Sequence, residues 1–509
     1  MGVVRRLEFA PPSTQESQRL TVFLGRGLRT ATKPFKRLLR HFDQPGRALH
    51  GGHKRLRLWR AMLNRLRWRD VTYVGVTGSC GKTTTTCLIG EVLSSAGECC
   101  TDSGRNGDGR VAVNVLTVGA RTKSCAQELS GSRPGRIGTQ VKILRPQIGI
   151  VTTVGGDHYK NFRGLEATAR EKARLVASLP RHGTAILNAD DPHVAAMAAK
   201  SRARVITYGL DPEADIRAID VRSSWPDRLS LTVLHGKERL HVQTKLAGEY
   251  WATSILAAFA CGITCGLDLE ACAKAIMAFD PVFGRASVHS TPDGPDYILE
   301  THKAPLWTIA NSMAFMRDAR ATRKTMVIGT VSDYSGKGGE THRKVARQAL
   351  EVADRVVFVG PQASHVDRLR LGEFRDRLFT FETSFQASAL MAETAIAGEL
   401  IYIKASITDH LERIMLSQFG DVMCWRERCG RVSACPDCKS YRAPYAPPFG
   451  LHPDMLRPRI RDGRGATRSA LFLPPDRPAG CWRSQLPVTG GMSNDSEPLD
   501  AAAPQDSPA

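Results

Sequence analysis

From position 71 onward, short apolar runs alternate with stretches of helical periodicity, predicting strands at 71–76 and 148–154 and helices at 83–96 and 164–179. Continuous apolar runs suit strands covered on both faces, and apolar residues every three or four positions suit helices with one packed face. Their alternation predicts a mostly parallel sheet with crossover helices. A second unit of the same texture follows Gly284-Arg285, with strands at 325–329 and 355–360 around a helix at 340–353. It closes on Ile401-Tyr402-Ile403-Lys404 and a helix at 409–416. The expected class is α/β, with a central domain over 71–284 and a smaller Rossmann-like domain over 285–420.

Ahead of the first strand, Leu56, Trp59, Leu63 and Leu66 recur among arginines, which predicts a basic amphipathic helix over 54–68. Such a helix packs on the body of the protein with its basic face in solvent, or docks on an anionic membrane or an acidic partner. Segment 1–70 carries about +13 of the formal +21, so the remainder is only mildly basic and no nucleic-acid partner is expected. No run of about 18 uncharged apolar residues is present to cross a membrane as a helix. The thirteen cysteines are scattered and the first residues lack an apolar segment, so a reducing cytoplasm is expected, with a membrane-peripheral place left open. Beyond 440, Pro, Gly, Ser, Asp and Arg without periodicity predict a disordered tail over 441–509. The sortase-type string Leu486-Pro487-Val488-Thr489-Gly490 in that tail has no apolar segment after it and is taken as chance.

Candidate chemistry concentrates at Gly78-Ser79-Cys80-Gly81-Lys82-Thr83-Thr84, between the first predicted strand and helix. A glycine-rich turn that opens a helix aims several backbone N–H groups at one point, where the helix dipole adds partial positive charge. Phosphate binds in such a nest. Gly78 and Gly81 let the backbone come close, Lys82 neutralises terminal phosphates, and the Thr83 hydroxyl suits Mg²⁺. The first glycine of G-x-x-x-x-G-K-T falls at position 76, which is Val, while Gly75 stands one residue earlier.

With that displaced glycine, the string from Gly75 to Thr84 resembles the ATP loop of the Mur ligase superfamily, whose members form amide bonds in peptidoglycan precursors or extend folates and polyglutamate. Downstream, Gln127-Glu128-Leu129-Ser130 with Arg133-Pro134-Gly135 is similar to the segment that carries the family's Mg²⁺-binding glutamate. The string from Ile150 to His158 is similar to the one ending in its metal-binding histidine, and Lys172 has the spacing of its carbamate-bearing lysine. The segment from Phe279 to Arg285 looks like the junction whose arginine reaches the terminal phosphate. The resemblance covers roughly 71–416 and is strongest to the branch that adds D-alanyl-D-alanine. It implies Lys82, His158, Lys172 and Arg285 as catalytic residues, with Thr83, Glu128 and His158 around Mg²⁺. It also implies ATP, a carboxylate and an amino-acid or peptide amine as substrates, ADP as a product, and an acyl phosphate between them.

Three departures qualify the resemblance. Segment 1–70 lacks the α/β pattern of the family's UDP-sugar-binding domain, so a UDP-muramyl substrate is not implied. Ser254 stands where relatives place an adenine-contacting asparagine, and Glu300, in Glu300-Thr301-His302-Lys303-Ala304-Pro305, stands where they carry an aspartate for the ribose or metal. These changes leave open a nucleotide-binding pseudoenzyme or scaffold, and the loop alone leaves open another P-loop phosphotransferase. Within 421–440, Cys424, Cys429, Cys435 and Cys438 offer four thiols at a spacing able to close a structural zinc site; free or redox-active thiols are the alternative.

Overall fold

A computed structural model describes residues 45–438, except 105–106, 157–161, 163, 292 and 373, together with Tyr441 and the segments 459–461 and 467–469. The chain begins with helix α1 (Pro45–Arg67) and then builds a nine-stranded sheet. Its strands are β1 (Thr72–Thr77), β2 (Glu98–Asp102), β3 (Thr122–Glu128), β4 (Ile148–Val151), β5 (Thr184–Asn188), β6 (Arg204–Gly209), β7 (Ile216–Arg222), β8 (Ser230–His235) and β9 (Glu238–Gln243). They lie in the order β2-β3-β1-β4-β5-β6-β7-β8-β9, parallel as far as β7 and antiparallel beyond it. Strands β4 and β5 are buried along their whole length, as their unbroken apolar runs require, whereas the edge strand β9 is mostly exposed.

Helix α2 (Lys82–Ser94) follows β1, α3 (Leu165–Ser178) follows β4, and the alanine-rich α4 (Ala252–Thr264) lies against α2. Close approach of α2 and α4 depends on Gly262, where a Cβ would stand 2.7 Å from Val92 Cγ1 and 2.4 Å from Cys272 Sγ. Leu88, Ile89, Val92, Ile255, Leu256 and Phe259 are fully buried there, each contributing about 1.5–3 kcal/mol of burial.

The second sheet has β10 (Ser287–Ser290), β11 (Asp296–Glu300), β12 (Arg323–Ile328), β13 (Arg355–Val359), β14 (Leu378–Phe381) and β15 (Glu399–Lys404), ordered β10-β11-β15-β12-β13-β14. Only β10 is antiparallel. Helix α5 (Leu306–Asp318) precedes β12, and α6 (Glu412–Phe419) follows β15. One apolar cluster runs from Val74 and Ile255 through Ile309 and Met313 to Met326 and Tyr402, so the two sheets share a core. In the second sheet Glu399 is fully buried between Arg355 (2.8 Å) and Arg323 (2.6 Å) and also accepts from Thr325. Arg355→Met leaves this carboxylate under-paired and is expected to cost about 3 kcal/mol in urea unfolding.

One sequence expectation changes. Helix α1 does pack on the body, but its Leu56, Trp59, Leu63 and Leu66 stripe faces outward. The face that packs carries Leu58, Ala61, Asn64 and Arg65, with Trp68 just past the end of the helix packing beside them. It is held by polar bonds as much as by apolar contact. Asn64 Nδ2 donates to the carbonyls of Val115 and Val118, and Arg65 donates to those of Leu144 and Arg145 while lying 3.9 Å over the Tyr73 ring. Most of the expected tail lies outside the described residues; within it, Arg459–Arg461 and Thr467–Ser469 pair as an antiparallel ribbon.

Candidate nucleotide and metal site

The chain leaves β1 for β2 and β3 on one side and returns to β4 on the other, so the sheet has its topological switch point beside β1. Ligands of open α/β sheets bind outside the carboxyl ends of the strands at such a point. The last residues of β1, β3 and β4 are Thr77, Glu128 and Val151, and all three deliver their next residues to this crevice.

The turn 78–81 follows directly. A side chain at Gly78 has no room, because its Cβ would lie 1.8 Å from Thr152 Oγ1, and Gly81 has a left-handed φ of 78° as it opens α2. Gly81 has no side chain to cap α2, and the first-turn N–H groups of Thr83 and Thr84 have no intrahelical acceptors. The N–H groups of Ser79 and Cys80 are occupied instead by Thr153, through its carbonyl (2.8 Å) and Oγ1 (3.1 Å). Lys82 Nζ lies 3.2 Å from the Ser79 carbonyl.

Around this turn the predicted residues converge. Thr83 Oγ1 donates to Glu128 Oε2 at 2.8 Å, Arg285 Nη2 donates to Thr83 Oγ1 at 3.1 Å, and the Gly104 N–H donates to Glu128 Oε2 at 2.7 Å. Burial pushes the Glu128 carboxyl up. The charge of Lys82, the Gly104 N–H, Arg285 and the Thr83 hydroxyl outweigh it and hold the group below the usual carboxylate range. A hydroxyl beside a carboxylate kept ionised is a donor set that suits a hard divalent cation. Thr84 Oγ1 and Arg285 Nε are buried with no hydrogen-bond partner, as groups awaiting a polar ligand are.

Ser254, on α4, accepts a 3.0 Å bond from Thr85 Oγ1 and lies beside Gly81, at the phosphate turn. Lys172 is buried at 1% exposure on α3, one turn before Leu175, which packs over Gly75 and Gly149. Glu300 is drawn into the second sheet, 2.7 Å from Lys404 Nζ and accepting from Tyr402 and Ser312. Tyr402 in turn reaches Tyr250 of the first unit at 3.1 Å. His158 lies outside the described residues.

Sequence reasoning gave no role to the residues that hold the turn in place. Asn188 Nδ2 donates to the Thr152 carbonyl at 2.8 Å and Asp191 accepts from the Val154 N–H at 2.7 Å, fixing the segment that grips Ser79 and Cys80. Trp307, on α5, lies on Gly155, where any Cβ would fall 2.5 Å from Cζ2; its indole N–H is also buried and unpartnered. The Gly155-Gly156 pair was the only local signal for that contact. His302 adjoins Gly284, and burial followed by the charge of Arg285 pushes its pKa down to about 3, so it stays neutral beside the arginine.

A strand, an uncapped glycine turn and a helix with a lysine and threonine at its start define a P-loop nucleotide-binding protein of the α/β class. The Mur ligase middle domain model matches residues 76–262. The UDP-N-acetylmuramoyl-tripeptide–D-alanyl-D-alanine ligase of Mycobacterium leprae is 30% identical over 369 residues, covering 66% of this chain and 71% of its own length. The chain belongs to the Mur ligase family. The Mycobacterium tuberculosis enzyme of the same name is 31% identical, over 57% of this chain and 58% of that protein, so the match spans little more than half of that relative. Among solved structures, MurF from Acinetobacter baumannii has a TM-score of 0.64 at 21% identity, covering 72% of this chain and 79% of that one. MurF from Thermotoga maritima in complex with ADP has a TM-score of 0.64 at 19% identity, covering 71% of this chain and 82% of that one. These likenesses establish the fold.

Proposed function

We propose that this chain is an ATP-dependent ligase that joins a carboxylate to an amino-acid or peptide amine and releases ADP and phosphate. The observation that carries this reading is the convergence of Lys82, Thr83, Glu128 and Arg285 on one uncapped helix start. Thr83 and Glu128 would hold Mg²⁺, with His158 as a further ligand, and the ion would supply charge to neutralise the triphosphate. Lys82 and the first-turn N–H groups hold the terminal phosphates. Arg285 meets the charge that builds as the substrate carboxylate attacks the γ-phosphorus and ADP leaves. The amine nitrogen then attacks the acyl carbon, phosphate departs, and one proton goes to solvent. Trp307 against Gly155 excludes water from the edge of the turn. Lys172, buried on α3, fits a lysine converted to a carbamate. Ser254 and Glu300 serve nucleotide binding indirectly, one through Thr85 beside the turn and one through the Tyr402–Tyr250 bridge. A panel of acid and amine pairs tests the reading by phosphate release. Release that needs both partners supports a ligase, release with an acid or alcohol alone indicates a phosphotransferase, and ATP binding without turnover across the panel indicates a scaffold.

We infer further that the enzyme works in the cytoplasm, with α1 docked on an anionic lipid surface. No helix among the described residues is long and apolar enough to cross a membrane. On α1, however, Leu56, Trp59, Met62, Leu63 and Leu66 are all exposed, interleaved with exposed Arg55, Arg57, Arg60 and Arg67, and the helix carries no acidic residue. Charge complementarity favours anionic lipid over residues 1–44, which are themselves basic. The full chain is expected to float with phosphatidylglycerol vesicles and not with phosphatidylcholine vesicles. Trp59→Ser with Leu63→Ser should weaken flotation about tenfold or more. Equal flotation of variant and wild type, or none with either vesicle, assigns the face to residues 1–44 or to an acidic protein instead.

A further inference from the structure

The four thiols of the 421–440 segment are not gathered into one site. Among the described residues, the group of potential metal ligands whose donor atoms all lie within 4.8 Å of one another is His410, Glu412 and Cys435, and it includes none of Cys424, Cys429 and Cys438. His410 stands in the turn after β15 with a left-handed φ of 54°, Glu412 opens α6, and Cys435 begins a short turn more than twenty residues later. All three are buried, at 2%, 1% and 4% exposure.

The bonds around them leave one buried carboxylate oxygen without a partner. Glu412 Oε1 accepts from the Cys435 N–H at 2.9 Å and lies 3.4 Å from His410 Nδ1, while Glu412 Oε2 is buried with no hydrogen-bond partner. A carboxylate oxygen left so, inside a protein, is costly. The Cys435 thiol is 3.6 Å from His410 Nδ1, and Arg413 Nε donates to its sulfur at 3.2 Å. An N–H aimed at sulfur stabilises a thiolate, as the outer partners of metal-bound cysteines do.

We propose that His410, Glu412 and Cys435 form a binding site for a zinc-class divalent cation, separate from the nucleotide site. Imidazole nitrogen, carboxylate oxygen and thiolate sulfur together select zinc over Mg²⁺ or Ca²⁺, which take oxygen ligands alone. Binding displaces the thiol proton to solvent, leaves a thiolate on the metal, and gives Glu412 Oε2 its partner. Cys429 stays outside the set, with Sγ 3.0 Å from Nε2, the opposite nitrogen of the His410 ring. The site's role is mechanical. It ties the 421–438 segment to the turn after β15, and that segment supplies Glu427, Arg428 and Gly430 to one wall of a cavity of about 680 Å³. The opposite wall comes from Thr330, Gly360 and Thr383, at the carboxyl ends of β12, β13 and β14.

Metal content of the full chain, purified without chelator, tests the proposal. About one zinc per chain is expected, replaceable by Co²⁺ with a thiolate-to-cobalt charge-transfer band. Cys435→Ser, His410→Gln and Glu412→Gln should each lower occupancy about tenfold or more, whereas Cys424→Ser and Cys438→Ser should retain it. Where a ligand variant fails to fold, the wild type answers the same question: chelation should lower its thermal midpoint and added Zn²⁺ should restore it. Absence of zinc and of any Co²⁺ band in the wild type overturns the site. So does zinc that survives His410→Gln and Glu412→Gln but is lost in Cys424→Ser and Cys438→Ser, the pattern of a four-thiol centre.

Discussion

Lys82→Ala is expected to lower phosphate release in the presence of a productive acid and amine by about 10²–10³-fold, the usual consequence of deleting one charged donor from a preorganised site. The side chain starts the first turn of α2, its ammonium is 3.2 Å from the Ser79 carbonyl, and its charge is the largest favourable influence on the Glu128 carboxylate. Removal therefore takes away the proposed phosphate partner and weakens the ionisation of Glu128, the proposed metal ligand. Fold should be unaffected, because the ammonium lies at the crevice and not in the core. Equal release from wild type and Lys82→Ala in a steady-state assay, with both proteins folded by circular dichroism, would sink the ligase reading.

Arg285→Ala should cost a comparable amount, about 10³-fold in kcat, with a smaller change in the KM for ATP. Arg285 lies between the two units and touches Thr83 at 3.1 Å, yet its Nε is buried and unpartnered. Such a group is positioned for charge that develops during the reaction more than for ground-state binding. Arg285→Lys restores a charge without the planar fork and should recover only part of the loss. If Arg285→Ala instead raises KM and leaves kcat alone, the residue serves binding and not the transfer step.

The phosphate turn was legible because its signal is local: strand, glycine, lysine, threonine and helix occupy one continuous stretch, and backbone geometry there follows from residue type. Glu128 and Arg285 became candidates only through the order of several motifs, since neither position is distinctive alone. The roles of Thr152, Asn188, Asp191 and Trp307 stayed hidden because they reach the turn across long stretches of chain, where sheet topology and not spacing sets the neighbours. Helix α1 misled for a different reason. Its exposed and packed faces share one periodicity, and the packed one includes Asn64 and Arg65, whose carbonyl partners are invisible to a hydrophobic pattern. At the cysteine segment, spacing suggested four thiols, whereas His410 and Glu412 arrive from a different element with no spacing relation to Cys435.

The apolar cluster common to both sheets bears on how the chain comes apart. Severing it near Arg285 cuts that continuous cluster, while smaller apolar clusters around Val115 and Val151 in the first unit and around Val357 and Ile414 in the second stay within their own units. Because the largest cluster is continuous through both units, heating the intact chain is expected to give one cooperative calorimetric transition in place of two independent ones.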